Sequence, residues 1–168
     1  MPANSLVCTA LFGDLKALSN DSIILLLSND SKGDPVMIPR VTRRDVEKFL
    51  TTVQRLLSDE KFDIDNDFFL IKSRKNDTEH STPYTLLSLD YDVYDVISVI
   101  KALDVEDFSE IKIDEDDPNP PLLYVFGKII EDKEVYIKIK CRELDDATQV
   151  ICVSFHFAAW NMKYMFRK

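Results

Sequence analysis

Glycine is scarce in this chain. Only Gly13, Gly33 and Gly127 occur, far apart, so no glycine-rich loop is present to cradle a phosphate. The three cysteines, Cys8, Cys141 and Cys152, are an odd number with no CxxC spacing, which argues against both a zinc site and a disulfide framework and for a reducing compartment. Histidine is rarer still, with His80 alone in a polar loop and His156 far from it. No cluster of His, Cys and carboxylate has metal-ligand spacing, so neither a metal nor a cofactor is expected. The apolar run Ile23–Leu27 is too short to span a bilayer. The N-terminal stretch MPANSLVCTALFGDLKALSND lacks the basic start and long apolar core of a secretory signal. The expectation is a soluble, cytoplasmic protein with no membrane partner.

What is present suits one folded domain. The chain has 168 residues and 45% hydrophobic content, enough for a single sizeable core. Its net charge of −9 speaks against a nucleic-acid partner, because phosphate contacts need Lys and Arg. The charge is unevenly distributed, however. Residues 82–118 carry 11 acidic and 2 basic groups, which equals the whole excess, whereas residues 119–168 carry 8 basic and 6 acidic ones.

Residues 1–38 read as an N-terminal extension without evident chemistry, ending in the turn signal SNDSKGDP. The stretch VTRRDVEKFLTTVQRLL places Val46, Phe49, Leu50, Val53, Leu56 and Leu57 at helical spacing, with Thr42 as the expected N-cap. A strand core over Phe68–Ile71 leads into Lys72, Arg74 and Lys75, which would present Lys72 and Arg74 on one face. DYDVYDVISVIKAL is a second amphipathic helix, capped by Asp90 or Asp92, and DVEDFSEI adds a short helical turn carrying Phe108. Three strands follow, LLYVFGKII, EVYIKIKC and QVICVSFHF. Their short connections make them antiparallel neighbours.

Alternation puts Val135, Ile137 and Ile139 on the core face with Ile151, Val153, Phe155 and Phe157. It puts Tyr136, Lys138 and Lys140 on the other face with Cys152, Ser154 and His156, and Lys128 beside them on the neighbouring strand. A polar sheet face alone requires no function, since antiparallel sheets commonly leave one face to water. As a set, though, these residues match the needs of RNA cleavage without a metal. That chemistry requires a base for the 2′-hydroxyl, an acid for the leaving oxygen and fixed positive charge for the phosphate. A histidine serves as base or acid near neutral pH, a lysine supplies charge, and a tyrosine supplies a hydroxyl or a stacking surface.

YVFGK, VYIKIK, VSFHFA and MKYMF, in this order, resemble the MqsR family of type II toxin-antitoxin toxins over about residues 41–166. The resemblance implies a RelE-like α+β fold, an antiparallel sheet packed on one face by helices, in a domain spanning 41–168. It further implies a ribosome-independent endoribonuclease, an mRNA interferase, that cuts single-stranded mRNA and is held inactive by a cognate antitoxin. Carried onto this chain, the catalytic residues are His156, Tyr136, Lys138 and Lys128. Lys72, Arg74, Lys140, Lys163 and Tyr164 would bind substrate. The chain departs from the family pattern at several points. The best-known member has lysine at His156, a functional glutamine near Leu123 and a functional lysine near Glu110, and the family's C-terminal YPY is here Tyr164, Met165 and Phe166. These departures keep a second reading open, an inactive RNA- or protein-binding module on the same fold.

Overall fold

A computed structural model describes residues 40–72, 79–114, 122–144 and 147–168. The extension 1–38 and Arg74 lie outside the described residues. The first helix, α1 (Arg43–Leu56), buries Val46, Phe49, Leu50 and Val53, the stripe that helical spacing demands. A one-turn helix, α2 (Ile64–Asp67), is capped by the Asp63 side chain, which accepts from the Asp65 amide. It leads directly into strand β1 (Phe68–Leu70).

Helix α3 (Thr82–Leu89) was not expected from the sequence, although it begins with a Ser81 cap and a proline in its first turn, both standard start signals. It ends at Asp90, whose φ of 53° is left-handed. Helix α4 (Val93–Lys101) starts at Asp92, which forms a reciprocal capping box with Asp95. Of the two expected caps, Asp92 therefore opens this helix and Asp90 closes the preceding one.

After a 3-10 turn (Val105–Asp107), strands β2 (Phe108–Lys112), β3 (Leu123–Ile130), β4 (Lys133–Leu144) and β5 (Ala147–Phe157) complete a sheet ordered β1-β5-β4-β3-β2. Phe108 thus opens a strand instead of riding on a helical turn. The β3–β4 turn is as short as expected, with Glu131 and Asp132 at φ 48° and 61°, the left-handed pair that matches strand twist in a two-residue hairpin. The sheet as a whole is mixed, not purely antiparallel, because β1 pairs parallel to β5. The long connection from β1 through both helices allows that direction. The architecture is α+β.

Two bulges decide which side chains face which way. In β5 the pairing steps from Ser154 opposite Lys138 to Cys152 opposite Ile139, leaving Val153 extra. A single extra residue exchanges the faces beyond it. Cys152 therefore lies on the core face, fully buried, Ile151 faces the other way opposite Lys140, and Val153 is only half-buried. Simple alternation assigned Ile151 and Cys152 to the opposite sides. In β2 the register shifts between Phe108 and Glu110. Phe108 thereby packs in the core with Phe126, while Glu110 and Lys112 share the open face.

The core lies between one sheet face and α1 and α4, filled by Phe126, Ile137, Phe155, Val96 and Ile100, all fully buried. Phe49 of α1 stacks on Tyr124 of β3 at 3.7 Å between ring centres. The Gln54 amide donates to the carbonyls of Lys101 and Leu103 at 3.1 and 2.9 Å, satisfying groups that the end of α4 leaves orphaned. Helix α3 meets the side of β5 beyond the short β1. There the Thr82 and Thr85 hydroxyls accept from the amides of Phe155 and Phe157 at 3.4 and 2.9 Å, so these buried hydroxyls finish a ladder that lacks a neighbouring strand. Among the described residues no helix is long and apolar enough to cross a membrane.

Candidate RNA-binding face

The sheet face turned away from α1 and α4 is organised around Tyr136 of β4, which is only 6% exposed, and the half-buried His156 of β5. They are directly opposite in the antiparallel register, and their rings stack at 5.1 Å with 15° between planes. The His156 Nδ1 lies 2.9 Å from the Phe157 carbonyl oxygen. A carbonyl only accepts, so Nδ1 carries the proton and Nε2 is the basic nitrogen of the neutral ring. Trp160, just past the end of β5, stands edge-on to Tyr136 at 6.2 Å.

Lys112 of β2 completes this group. Its ammonium lies 5.7 Å from the centre of the Tyr136 ring, a cation–π distance, and 3.2 Å from the Glu110 carboxylate. Burial lowers the Lys112 pKa, but Tyr136 and Glu110 together outweigh it and leave the ammonium above its ordinary value. Burial also raises the Tyr136 phenol, with Lys112 opposing the rise and Glu110 adding to it. At neutral pH the two groups therefore stand as a cation and a protonated phenol, both hydrogen-bond donors.

The sequence-derived residues separate into those that join this pair and those that do not. Lys138 is on the same face, opposite Ser154 and beside Val125 of β3. Lys128 is not. It pairs with Val135, and cross-strand partners share a face, so its side chain lies on the helix side. There its ammonium donates to Asp107 at 2.6 Å and to the Ala102 carbonyl at 3.2 Å. Lys140 has the expected face but is buried and ion-paired to Asp114, which removes it from the exposed cations expected to meet substrate. Lys72 is exposed just after β1, at the sheet's parallel edge.

The C-terminal tail crosses the same face. Tyr164 lies over Gly127, where a Cβ would meet its ring and come within 2.9 Å of the Met162 sulfur. Here the missing side chain is what admits the tail. The Tyr164 hydroxyl donates to Glu134, and Arg167 sits 3.6 Å over its ring. Burial and the Glu134 carboxylate push the phenol up to about 12. Tyr164 therefore anchors the tail, with its hydroxyl committed to Glu134 in place of the substrate contact that the resemblance implies. Lys163 is exposed, while its carbonyl accepts from the Ser109 hydroxyl at 2.7 Å. The Met165 amide donates to the Phe108 carbonyl at 3.0 Å and Phe166 stacks on Phe108, so the tail also covers the β2 edge.

Sequence reading missed three residues near the pair: Lys112, Trp160 and His80. His80 Nδ1 lies 3.1 Å from the Phe157 carbonyl oxygen, the atom that also receives His156. Only the spacing of Lys112 from Glu110 offered a signal, because alternate strand positions share a face. Among the described residues no group of three or more His, Cys, Asp or Glu is placed to hold a metal ion. No protein-family model, no curated protein and no solved structure matches this chain.

Proposed function

We propose that this protein is an endoribonuclease of the MqsR type, the toxin of a toxin-antitoxin pair, cutting single-stranded mRNA at the Tyr136 and His156 end of the sheet face turned away from α1 and α4. The observation that carries the reading is the stacked Tyr136–His156 pair with the Lys112 ammonium beside it. In the reaction His156 Nε2 takes the proton of a 2′-hydroxyl. The resulting alkoxide attacks the adjacent phosphorus, the bond to the 5′-oxygen breaks, and that oxygen leaves with a proton that the His156 imidazolium returns through water. The products are a 2′,3′-cyclic phosphate and a free 5′-hydroxyl. Lys112 and Lys138 offset the negative charge that builds on the phosphate, and the protonated Tyr136 donates to one of its oxygens.

The family resemblance supports this reading, and Lys112 eases one of its discrepancies. The family's functional lysine falls near Glu110, a reversed charge, yet Lys112 supplies a cation on the same face two residues on.

The test is cleavage of single-stranded RNA by purified protein in EDTA, scored for cyclic phosphate ends. Loss of a proton-transfer group costs about 10²-fold to 10⁴-fold, so His156→Ala is expected to fall in that range, and Lys112→Ala to weaken cutting at unchanged fold. An inert wild type, or cutting that persists in both His156→Ala and Tyr136→Phe, rejects the proposal. A second reading, an inactive binding module, is favoured by the Glu110 carboxylate 3.2 Å from the Lys112 ammonium, which offsets its charge. Induction separates the two. A nuclease arrests growth and is rescued by its antitoxin, whereas a binding module does neither.

A further inference from the structure

At the end of the sheet, beside the Tyr136–His156 pair, lies a cleft of about 440 Å³ lined by His80, Tyr84, Lys133, Phe157, Trp160 and Asn161 among others. Its volume falls in the range of about 300–1,000 Å³ typical of small-molecule sites. Two of its walls are aromatic side chains left substantially open to solvent, Trp160 at 60% and Tyr84 at 40%. Large aromatics exposed together in a concave site are uncommon when they serve only packing.

The Lys133 ammonium sits 4.6 Å from the Phe157 ring, which places a cation on the lining. His80 Nδ1 lies against the Phe157 carbonyl oxygen, which fixes its ring on the cleft wall. Asn161 offers both a donor and an acceptor. Two carboxylates also line it, Glu79 and Glu134, the latter engaged by the Met162 amide and the Tyr164 hydroxyl. The cleft therefore combines flat stacking surfaces, polar groups and a cation with two carboxylates, a lining that suits a base better than a phosphate. It is tied to the proposed cleavage site at two points, because Trp160 touches Tyr136 and one carbonyl receives both histidines.

We infer that this cleft is a nucleobase subsite, holding a base of the nucleotide next to the one being cut, stacked on Trp160 and Tyr84 with its edge toward His80 and Asn161. The inference takes its ligand class from the RNA-cleavage reading. Stacking of a base on an aromatic side chain is sequence-tolerant and is worth about 1–3 kcal/mol by alanine substitution. That corresponds to a change in Kd of roughly fivefold to 150-fold.

Trp160 is the single tryptophan of the chain, so its fluorescence reports on this cleft and on the adjoining Tyr136, and the Tyr84 variants separate the two. The experiment titrates the full-length protein with each of the four nucleoside 5′-monophosphates and, in parallel, with ribose 5-phosphate. The expected result is saturable quenching by the nucleotides and none by the sugar phosphate, with Kd raised roughly fivefold or more by Tyr84→Ala. Tyr84→Leu, which keeps the bulk, serves if the alanine variant fails to fold, and is expected to weaken binding in the same direction. The inference is overturned by absence of saturable quenching, by equal quenching with ribose 5-phosphate, or by a Kd indifferent to Tyr84. Its failure is separable from that of the nuclease. A protein that binds nucleotides in this way but never cuts RNA keeps the subsite and loses the activity, and one that cuts RNA without quenching does the reverse.

Discussion

Replacing Lys128 with alanine should damage stability far more directly than chemistry. Its ammonium is the closer of two cations at Asp107, donating at 2.6 Å to a carboxylate whose side chain is 7% exposed. The second cation, Arg167, is 3.6 Å away and itself 41% exposed. Removing one partner of a fully buried ion pair costs about 3–5 kcal/mol, because the remaining charge is left uncompensated. Two features reduce that figure here. Lys128 keeps 28% of its side chain in solvent, and Arg167 can take up part of the charge, which brings the expected loss to about 1.5–3 kcal/mol. With a urea slope near the middle of the usual range, about 2 kcal/mol per molar, the unfolding midpoint should fall by roughly 0.75–1.5 M. Asp107→Asn tests the origin of the loss. In its background Lys128→Ala should cost much less, since the coupling between contacting residues has already been removed. RNA cleavage per folded molecule should be nearly unchanged. A Lys128→Ala protein with wild-type urea stability and abolished cleavage would refute the reasoning and return Lys128 to the catalytic set.

Gly127→Ala should cost about 1–3 kcal/mol, the range for forcing extra volume into a packed site, because the new methyl meets Tyr164 and Met162. Urea unfolding should show most of that cost disappearing when Tyr164 is also replaced by alanine. Thr85→Val should cost about 1–3 kcal/mol by leaving the Phe157 amide without its 2.9 Å acceptor. Thr82→Val, whose bond to the Phe155 amide is 3.4 Å, should cost less, and the reverse order in thermal melts would count against this account of the β5 side. Tyr164 has a folded pKa raised from 10.0 to about 12, so its contribution to stability is fully present below pH 10 and is lost as pH climbs toward 12. Stability measured over that window should therefore decline less steeply in Tyr164→Phe than in wild type, and parallel curves would show that the tyrosine is not coupled to folding.

Much of the fold is legible along the chain. The α1 stripe, the Asp92 cap and the β3–β4 hairpin follow from local spacing and local hydrogen bonding, and each appears where those rules put it. That Tyr136 and His156 lie on the sheet face away from the core was readable from alternation near the ends of their strands. Their direct opposition depends on the bulge, because pairing counted from the hairpin end at Leu144 and Ala147 without the extra Val153 would set Tyr136 opposite Phe155. Lys128 failed for a different reason. Its face depends on which residue of β4 it meets, and a shift of one residue in that register reverses it. Helix α3 was overlooked because TPYTLLSL buries residues on the side of a strand, a surface that exists only after the sheet has formed.

The sequence by itself determined which segments are amphipathic, with what period, and that the acidity belongs to residues 82–118 and not to the strands bearing the candidate site. These properties are local, set by the 3.6- and 2-residue repeats of the backbone. Only the tertiary structure decided that Lys112 stands by Tyr136, that Lys128 and Lys140 are held by Asp107 and Asp114, and that His80 and His156 share one carbonyl. Such pairings join residues far apart in sequence, and they depend on strand register, on two single-residue bulges and on the path of the tail. Alternation within any one strand carries no information about these.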